Sequence, residues 1–232
     1  MKMEGPAGLD IEFVTTADGS HTLHLPGLAE HYHSVHGAIA ESLHIFIHAG
    51  LDEVSRSRDE ISILEIGFGT GLNALLTCIE SNRKAISVNY SSIELYPLKE
   101  EIYSELNYPG LIDFPGADEI FKKLHSSSWN QNNPITESFS LHKIHSSLED
   151  YLPPAGFFDL VYFDAFGPDV QPGMWSEEVF KKMALALKSN GILVTYSTKG
   201  TIKRNLKAAG FDIEKLPGPK GKREILRAKK ID

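Results

Sequence analysis

The chain has 232 residues, of which 31 are Asp or Glu and 23 are Lys or Arg, so its formal net charge is −8. Hydrophobic residues make up 41% and charged residues 23%, a balance that excludes a disordered, collagen-like or coiled-coil protein. One cysteine, Cys78, excludes an internal disulfide, and no apolar run is long enough for a membrane span, so we expect a cytoplasmic protein without a leader segment.

The N-terminal part, residues 1–58, is predicted to be a small extension packed on the main domain. Short alternating stretches at 11–15 and 21–25 flank Asp18-Gly19, which predicts a β-hairpin. Apolar residues then recur at helical spacing over 36–51, which predicts an amphipathic helix.

Strands and helices alternate from residue 59 to 232, which predicts a doubly wound, Rossmann-like α/β domain. Its sheet is expected to have seven mostly parallel strands, with one antiparallel member at the C-terminal end. The strands are predicted at 61–66, 85–95, 138–144, 157–163, 191–196, 211–216 and 224–228, and the helices at 72–80, 96–106, 176–187 and 201–209. The polar stretch 126–136 is predicted to be an insertion loop.

A glycine-rich segment, Glu65-Ile66-Gly67-Phe68-Gly69-Thr70-Gly71, follows the first strand of this domain. Glycines at such a turn let the backbone approach a ligand beside the positive end of the next helix. A pyrophosphate dinucleotide does not need the preceding acid, Glu65, whereas a ligand with a cationic amino-acid group does. The segment therefore favours S-adenosylmethionine as the cofactor, over a glycine-rich turn that binds nothing.

Two further acids follow strands of the predicted sheet. Glu94 ends the second strand of the domain, where a carboxylate can accept both ribose hydroxyls. Asp164 follows the apolar strand 157–163 in Phe163-Asp164-Ala165-Phe166-Gly167-Pro168, at the edge where open α/β sheets carry out chemistry. Asp164 is the candidate to orient an amine and take up its proton, with helix capping as the alternative. Phe166 and Trp175 are candidates to stack on a base, although Trp175 is equally well explained by packing.

No metal site is predicted. Seven of the ten histidines fall within 21–48, but their spacing is not that of a zinc site and no cysteine supports it. Of these histidines, His33 is the one we expect near the cofactor. Cys78 is interpreted as a small buried hydrophobic residue.

The charge is distributed unevenly along the chain. Residues 1–180 hold 9 Lys or Arg and 27 Asp or Glu, a net −18, whereas residues 181–232 hold 14 and 4, a net +10. A basic end of this kind indicates a polyanion-binding surface, or else a solvated segment that balances the acidic body.

Four segments together resemble one family. E-I-G-F-G-T-G-L-N (65–73), I-E-L-Y-P-L (93–98), F-D-A-F-G-P (163–168) with P-G-M-W (172–175), and G-K-R-E-I-L (221–226) are similar to the methyltransferase domain of the bifunctional protein of tRNA 5-methylaminomethyl-2-thiouridine biosynthesis and its stand-alone homologues. The resemblance covers about residues 10–228. It implies a class I S-adenosylmethionine-dependent fold that methylates the aminomethyl nitrogen of 5-aminomethyl-(2-thio)uridine at the wobble position of tRNA.

The resemblance also implies roles for individual residues. Asp164 corresponds to the acid beside the methyl-accepting amine. The cofactor loop corresponds to Glu65, Gly67, Phe68, Gly69, Gly71 and Asn73, and Glu94 to the ribose-binding acid. Substrate contacts are expected from Phe166, Trp175, Lys199, Lys203, Arg204, Lys220, Lys222 and Arg223.

The chain departs from the family in two respects. It is too short to supply the FAD-dependent oxidase domain, so a separate oxidase is a candidate partner and no FAD is expected. Where the family places an Asp near adenine, this chain has His145-Ser146-Ser147. Two other functions remain open: transfer of a methyl or aminopropyl group to a small amine, and a binding module without catalysis.

Overall fold

The structure is a computed structural model and describes residues 2–5 and 8–231. A four-stranded antiparallel sheet opens the chain, in the order β1-β2-β3-β4. Its strands are β1 Lys2–Glu4, β2 Asp10–Thr15, β3 His21–Leu25 and β4 Glu30–His31. The predicted hairpin is confirmed as β2 and β3, which pair from Glu12 with His24 to Thr15 with His21.

The predicted helix that follows the small sheet is also present, and it runs further than expected. It comprises α1 Ala38–Ser42, a π-helical stretch Leu43–Leu51 and α2 Asp52–Ser55. Its apolar side, which includes Ile45 and Phe46, is buried against the second, larger sheet and against helix α3, Leu72–Lys84.

The main sheet has eight strands in the order β11-β12-β10-β9-β5-β6-β8-β7. Its strands are β5 Glu60–Ile66, β6 Ser87–Glu94, β7 Asn132–Pro134, β8 Phe139–His145, β9 Phe158–Phe163, β10 Leu187–Thr195, β11 Phe211–Pro217 and β12 Glu224–Lys230. β5, β6, β8, β9 and β10 pair in parallel, and β12 pairs antiparallel with both β10 and β11. The doubly wound fold with an antiparallel C-terminal strand is confirmed.

Helices cover both faces of this sheet. They are α3 Leu72–Lys84, α4 Glu100–Tyr103, α5 Tyr108–Leu111, α6 Ala117–Ser126, α7 Glu177–Ala186 and α8 Gly200–Ala208. A 3₁₀ turn, Pro172–Trp175, precedes α7. One buried apolar cluster includes side chains of the π-helical stretch, α3 and α6, and a second includes side chains of α7 and α8.

Two predicted elements differ from the structure. Within the predicted loop 126–136, Asn132–Pro134 adds an eighth strand, β7, antiparallel to β8 at the sheet edge. Pro134 is tolerated in this edge strand because no further strand pairs with its outer side, so the N–H that proline lacks is not needed for a hydrogen bond between strands. The predicted helix 96–106 is reduced to the single turn of α4.

The strand order places a switch point beside β5. The chain passes from β5 to β6 on one side and returns to β9 on the other, so the carboxyl ends of β5, β6 and β9 are neighbours. The crevice at such a point is the usual ligand site of an open α/β sheet.

Candidate active site

The glycine-rich segment forms a tight loop between β5 and α3. Gly67, Gly69 and Gly71 all have positive φ, at 94°, 49° and 71°, a region that side-chain-bearing residues rarely adopt. A Cβ on Gly67 would lie 3.2 Å from the carbonyl oxygen of Asp164, and one on Gly69 would lie 3.3 Å from the ring of Tyr32. Glycine at these positions therefore leaves the loop without side chains where it lies next to the loop after β9 and the N-terminal segment.

Glu94 is held where the loop meets β6. Its Oε2 accepts a hydrogen bond from the Gly69 N–H at 3.0 Å, and its Oε1 accepts one from the Tyr96 N–H at 2.8 Å. Burial raises the pKa of Glu94, and the backbone donors oppose that shift. The two backbone donors fix the carboxyl group at the wall of a cavity, as the ribose hypothesis requires.

Asp164 lies opposite Glu94, directly after β9. Its Oδ2 accepts a hydrogen bond from Asn73 Nδ2 at 2.9 Å, and its backbone N–H donates to the Ile66 carbonyl oxygen at 3.2 Å. Burial raises the pKa of Asp164 to about 7, with a further rise from Glu41, whereas the Asn73 hydrogen bond and Lys222 lower it. A carboxyl group of this kind can gain and lose a proton near neutral pH.

Glu65 lies beneath the loop rather than in the cavity wall. Its side chain is fully buried, its Oε2 accepts a 2.6 Å hydrogen bond from Ser92 Oγ, and its Oε1 has no partner among the described residues. Burial raises the pKa of Glu65 to about 8, and nearby Asp164 adds to the rise. Glu65 is not among the residues that line the cavity, and its predicted contact with the cofactor stays a prediction.

The N-terminal segment supplies a wall of the cavity that sequence reasoning did not assign. Tyr32 packs edge-on against Phe166, with ring centroids 5.1 Å apart. His33 Nε2 lies 2.7 Å from Thr70 Oγ1, and burial lowers the pKa of His33 to about 4. His33 was expected near the cofactor and lines the cavity, whereas no sequence signal distinguished Tyr32.

A second histidine supports the glycine loop from behind. His125 Nε2 donates to the Thr70 carbonyl oxygen at 3.1 Å, and burial lowers the pKa of His125 to about 3. Lys143 donates to the His125 carbonyl oxygen at 2.6 Å, with its ammonium over the rings of Phe68 and Trp129. These buried groups were missed because the sequence places them far from the loop, on α6 and β8.

These elements enclose a cavity of about 670 Å³, within the usual range for small-molecule sites. Residues of the N-terminal segment, the glycine loop, the end of β6, the β8 loop and the β9 loop all contribute to its wall. Among them are Glu30, Tyr32, His33, Glu41, Gly67, Phe68, Gly69, Thr70, Asn73, Glu94, Tyr96, Ser146, Ser147, Asp164, Phe166, Tyr196 and Lys222. Of the predicted cofactor residues, Glu65 and Gly71 do not line it.

The two predicted aromatic substrate contacts differ in position. Phe166 lines the cavity, as expected. Trp175 is 2% exposed, packs against Phe163 and Phe180, and donates its indole N–H to the Phe166 carbonyl oxygen at 2.8 Å. Trp175 therefore supports the β9 loop from the core, which favours packing over stacking on a base.

The six predicted basic contacts divide into three groups. Lys203 and Arg204 border a surface notch of about 390 Å³, together with Lys207 and Lys215. Three others are solvent-exposed: Lys199, Lys220 and Arg223, of which Lys199 pairs with Asp169. Lys222 points into the main cavity and forms a 2.7 Å ion pair with Glu41.

Neither a metal centre nor a membrane span is found in the part of the chain that the structure describes. Residues 2–5 and 8–231 contain no group of three or more His, Cys, Asp or Glu side chains arranged to hold a metal ion. Within the same residues, no helix is long and apolar enough to cross a membrane.

The cavity suits S-adenosylmethionine on structural grounds. The bare backbone of Gly67 and Gly69 leaves room that a Cβ would fill, and the Glu94 carboxylate is fixed beside it. Glu94 would hold the ribose hydroxyls, and Ser146 and Ser147, with Tyr96 nearby, would surround the base. The described residues supply hydroxyls and backbone groups at 145–147 in place of an Asp.

A mostly parallel sheet with an antiparallel strand near its C-terminal end, together with a glycine loop at its switch point, is the architecture of the class I S-adenosylmethionine-dependent methyltransferases. A family model described as S-adenosyl-L-methionine-dependent methyltransferase matches residues 136–231. The tRNA 5-methylaminomethyl-2-thiouridine biosynthesis bifunctional protein MnmC of Cupriavidus metallidurans is 31% identical in an alignment of 231 positions, which covers 94% of this chain and 34% of that protein. The MnmC protein of Pseudoalteromonas atlantica is 32% identical over 84% of this chain and 30% of its own length. The chain therefore belongs to the MnmC methyltransferase-domain family, and it spans about a third of the length of these relatives.

Solved structures agree with this assignment. The crystal structure of MNMC2 from Aquifex aeolicus matches with a TM-score of 0.74 and 26% identity, over 97% of this chain and 72% of that one. Spermidine synthase from Thermotoga maritima matches with a TM-score of 0.60 at 13% identity, over 100% of this chain and 72% of that one. The second likeness shows the shared fold alone.

Proposed function

We propose that this protein transfers a methyl group from S-adenosylmethionine to the aminomethyl nitrogen of 5-aminomethyl-(2-thio)uridine at the wobble position of tRNA. One observation carries the proposal: a single cavity brings together the glycine loop, Glu94 and the Asp164 carboxyl group. The relatives' name, which refers to biosynthesis of tRNA 5-methylaminomethyl-2-thiouridine, supplies the substrate class.

Asp164 is the catalytic residue in this proposal. Its Oδ2 is occupied by Asn73 Nδ2, which leaves Oδ1 to accept a proton from the attacking amine. Because burial raises the pKa of Asp164 to about 7, its carboxylate is present at neutral pH and can also hold the proton it takes up. The electrophile is the sulfonium methyl group of bound S-adenosylmethionine, which is the chemistry that the cofactor supplies.

The remaining residues position the substrate and exclude water. Phe166 and Tyr32 form an aromatic wall, and the Tyr196 hydroxyl donates to the Ala165 carbonyl oxygen at 2.8 Å, which fixes the loop that carries Asp164. Glu30 and Glu41 add negative charge to the cavity wall. This arrangement favours a cationic amine at the entrance and a desolvated neutral amine at Asp164.

We further propose that the notch formed by Lys203, Arg204, Lys207 and Lys215 binds tRNA phosphates. Four basic side chains from α8 and β11 meet there, on a chain whose first 180 residues carry a net −18. Phosphate contacts of this kind release counterions and therefore weaken with salt.

Two further parts of the proposal concern context. A separate FAD-dependent oxidase activity would generate the aminomethyl substrate, and both enzymes would work on tRNA in the cytoplasm.

The boundary between an extension at 1–58 and a methyltransferase domain at 59–232 stays a prediction. Because Tyr32 and Glu41 line the cavity, we propose that the extension is a required part of the active site.

The test uses purified tRNA that carries free aminomethyl-uridine, with labelled S-adenosylmethionine and mass spectrometry of the wobble nucleoside. The control is the same tRNA after acetylation of the amine, which removes the nucleophile and leaves the phosphates unchanged. Methylation of the first tRNA alone supports the proposal.

Other results of the same test would contradict the proposal. Transfer to small amines with no transfer to tRNA would favour the small-amine function that the acidic cavity also permits. Aminopropyl transfer from the decarboxylated cofactor would favour the aminopropyltransferase function. Absence of S-adenosylmethionine binding in calorimetry would favour a binding module.

A further inference from the structure

We propose that Lys222 is a positioning residue of the active site, which holds the C-terminal hairpin loop over the cavity through Glu41 and Tyr196 and supplies the positive charge of the cavity wall that carries Asp164. This inference rests on the proposed methyl transfer. It separates Lys222 from the basic residues beside it in sequence, for which contact with tRNA phosphates is expected.

The loop that carries Lys222 connects β11 and β12 and is closed by its own hydrogen bonds. The Lys222 N–H donates to the Pro219 carbonyl oxygen at 2.9 Å, and the Gly218 N–H donates to that of Arg223 at 3.1 Å. Gly221 has a φ of 89°, and a Cβ there would lie 2.1 Å from the ring of His36. The loop therefore packs directly on the N-terminal segment, and Lys222 is directed inward.

The ammonium group of Lys222 bridges two parts of the cavity wall. It forms a 2.7 Å ion pair with Glu41 Oε1, and Glu41 Oε2 accepts a 2.8 Å hydrogen bond from the Ser34 N–H. It also lies 5.2 Å from the ring centroid of Tyr196. Since Tyr196 donates to the Ala165 carbonyl oxygen, this contact reaches the residue next to Asp164.

The electrostatics around Asp164 explain why a cation is needed there. The acids that act on Asp164 or share its surroundings are Glu41 on α1, Glu65 on β5 and Glu30 on β4, and the phenols of Tyr90 and Tyr196 are also near. Glu41 raises the pKa of Asp164, whereas the Lys222 charge and the Asn73 hydrogen bond lower it. Among the described residues, Lys222 is the cation that opposes this negative surrounding.

The neighbours of Lys222 provide matched controls. Lys220 and Arg223 lie in the same loop but are solvent-exposed, whereas the Lys222 side chain is 28% exposed and lines the cavity. Removing charge at 220 or 223 changes the net charge of the loop as much as removing it at 222. Only the change at 222 alters the surroundings of Asp164.

The experiment compares Lys222→Met and Lys222→Arg with Lys220→Met and Arg223→Met in the full chain. Carboxyl titration by NMR of ¹³C-aspartate-labelled protein, with Asp164 assigned through Asp164→Asn, measures the midpoint without any cofactor. Rate profiles against pH, and tRNA affinity at several salt concentrations, are measured alongside.

We expect Lys222→Met to move the Asp164 midpoint upward. A rise from about 7 to about 8 would lower the ionised fraction at pH 7 from about a half to about a tenth, so kcat at pH 7 should fall about fivefold and recover at pH 9. Lys222→Arg restores the midpoint, and the salt dependence of tRNA binding stays that of the wild type. The two exposed controls leave the Asp164 midpoint at the wild-type value, and they weaken tRNA binding together with its salt dependence.

The inference is overturned if the Asp164 midpoint in Lys222→Met equals that of the wild type. It is equally overturned if this variant weakens tRNA binding and its salt dependence while the pH profile of kcat stays unchanged. Failure of the wild-type protein to methylate tRNA would refute the proposed function, and the NMR titration would still decide the role of Lys222.

Discussion

Asp164 combines two properties that a side chain at the surface does not have together. It is oriented by Asn73 Nδ2 at 2.9 Å, and burial raises its pKa to about 7. In the proposed reaction, the Asn73 hydrogen bond would hold Oδ1 of Asp164 toward the amine, and the raised pKa would match the proton affinity of the carboxylate to neutral pH. Either property can be removed separately by substitution.

Replacing Asp164 by Asn should therefore reduce turnover and leave cofactor affinity nearly unchanged. We expect kcat to fall by about 10²–10³-fold, the usual contribution of a positioned acid or base. Steady-state kinetics and calorimetric titration with S-adenosylmethionine measure the two quantities. Asp169→Asn is the control, because Asp169 lies in the same loop, is 82% exposed and pairs with Lys199.

The rate of the wild-type enzyme should rise with pH through about 7. Below this value Asp164 is protonated and cannot accept a proton, and above it the carboxylate is available. In Asp164→Asn this rise should disappear from kcat. A rise that persisted in the variant would assign it to another group, either a second base or the substrate amine itself, which must lose a proton before it can attack.

Glu65 contributes to stability through its ionisation, with a defined sign. Burial raises its folded-state pKa from 4.5 to about 8, so between these values the folded protein binds more protons than the unfolded chain. Stability from this group is therefore lost as the pH rises from 4.5 to 8. The loss amounts to a few kcal/mol, because each pH unit in this window contributes about 1.4 kcal/mol.

The variant Glu65→Gln should be less sensitive to pH over that range. It retains the side-chain shape and an acceptor for Ser92 Oγ but cannot ionise. We expect its free energy of unfolding, relative to the wild type, to improve steadily between pH 5 and pH 8 in urea titrations. A difference that did not change with pH would mean that Glu65 is already ionised in the folded protein.

At the scale of elements, the glycine loop is fixed from two sides. His33 on the N-terminal segment contacts the Thr70 hydroxyl, and His125 on α6 donates to the Thr70 carbonyl oxygen. Because burial lowers the pKa of both histidines, to about 4 and about 3, both are neutral at pH 7. Both histidines therefore support the loop in their neutral form at neutral pH.

The positive φ of Gly67 makes the loop sensitive to a single methyl group. In Gly67→Ala the Cβ would lie 3.2 Å from the Asp164 carbonyl oxygen at a φ of 94°, which costs about 1–3 kcal/mol of strain. We expect lower thermal stability and at least about tenfold weaker S-adenosylmethionine binding, since about 1.4 kcal/mol is tenfold. Gly110→Ala, on the exposed surface of α5 with open space around it, should change neither quantity appreciably.

Elements with a strong local pattern were predictable from the sequence. The continuous apolar run of β9 and the glycine loop after β5 located the switch point, and hence Glu94 and Asp164, within the correct edge of the sheet. β7 was missed because Asn132–Pro134 is polar and forms a strand only by pairing with β8. The sequence also did not predict which way individual side chains point. Trp175 faces the core and Glu65 lies under the loop, although both belong to recognisable motifs.

At the scale of the whole molecule, the two ends of the chain meet over the cavity. The N-terminal segment supplies Tyr32 and Glu41, and the C-terminal hairpin loop supplies Lys222. The ion pair between Glu41 and Lys222 joins residues that are far apart in sequence. A truncation at either end should therefore affect the active site.

The uneven distribution of charge along the sequence also corresponds to particular places in the structure. The sequence located an excess of positive charge after residue 180. Seven of its fourteen basic side chains form three groups in the structure: a notch of four on α8 and β11, two in the exposed loop before β12, and the inward Lys222. Only the first two can contact RNA phosphates from outside. A substitution in the notch is therefore the direct test of RNA binding.

Replacing Lys203, Lys207 and Lys215 together by Ala should weaken tRNA binding and flatten its dependence on salt. Each lost phosphate contact is expected to reduce the slope of log K against log salt by about 1. The control removes three cations elsewhere, in Arg56→Ala, Lys122→Ala and Lys181→Ala; each of these side chains is exposed and pairs with an acid on its own helical turn. Both triple variants change the net charge equally, so equal losses of tRNA affinity would show that total charge governs binding.

A loss of affinity confined to the first triple variant would place the RNA backbone at the notch. In that variant kcat with saturating tRNA should stay at the wild-type value, because Asp164 and Lys222 are unchanged.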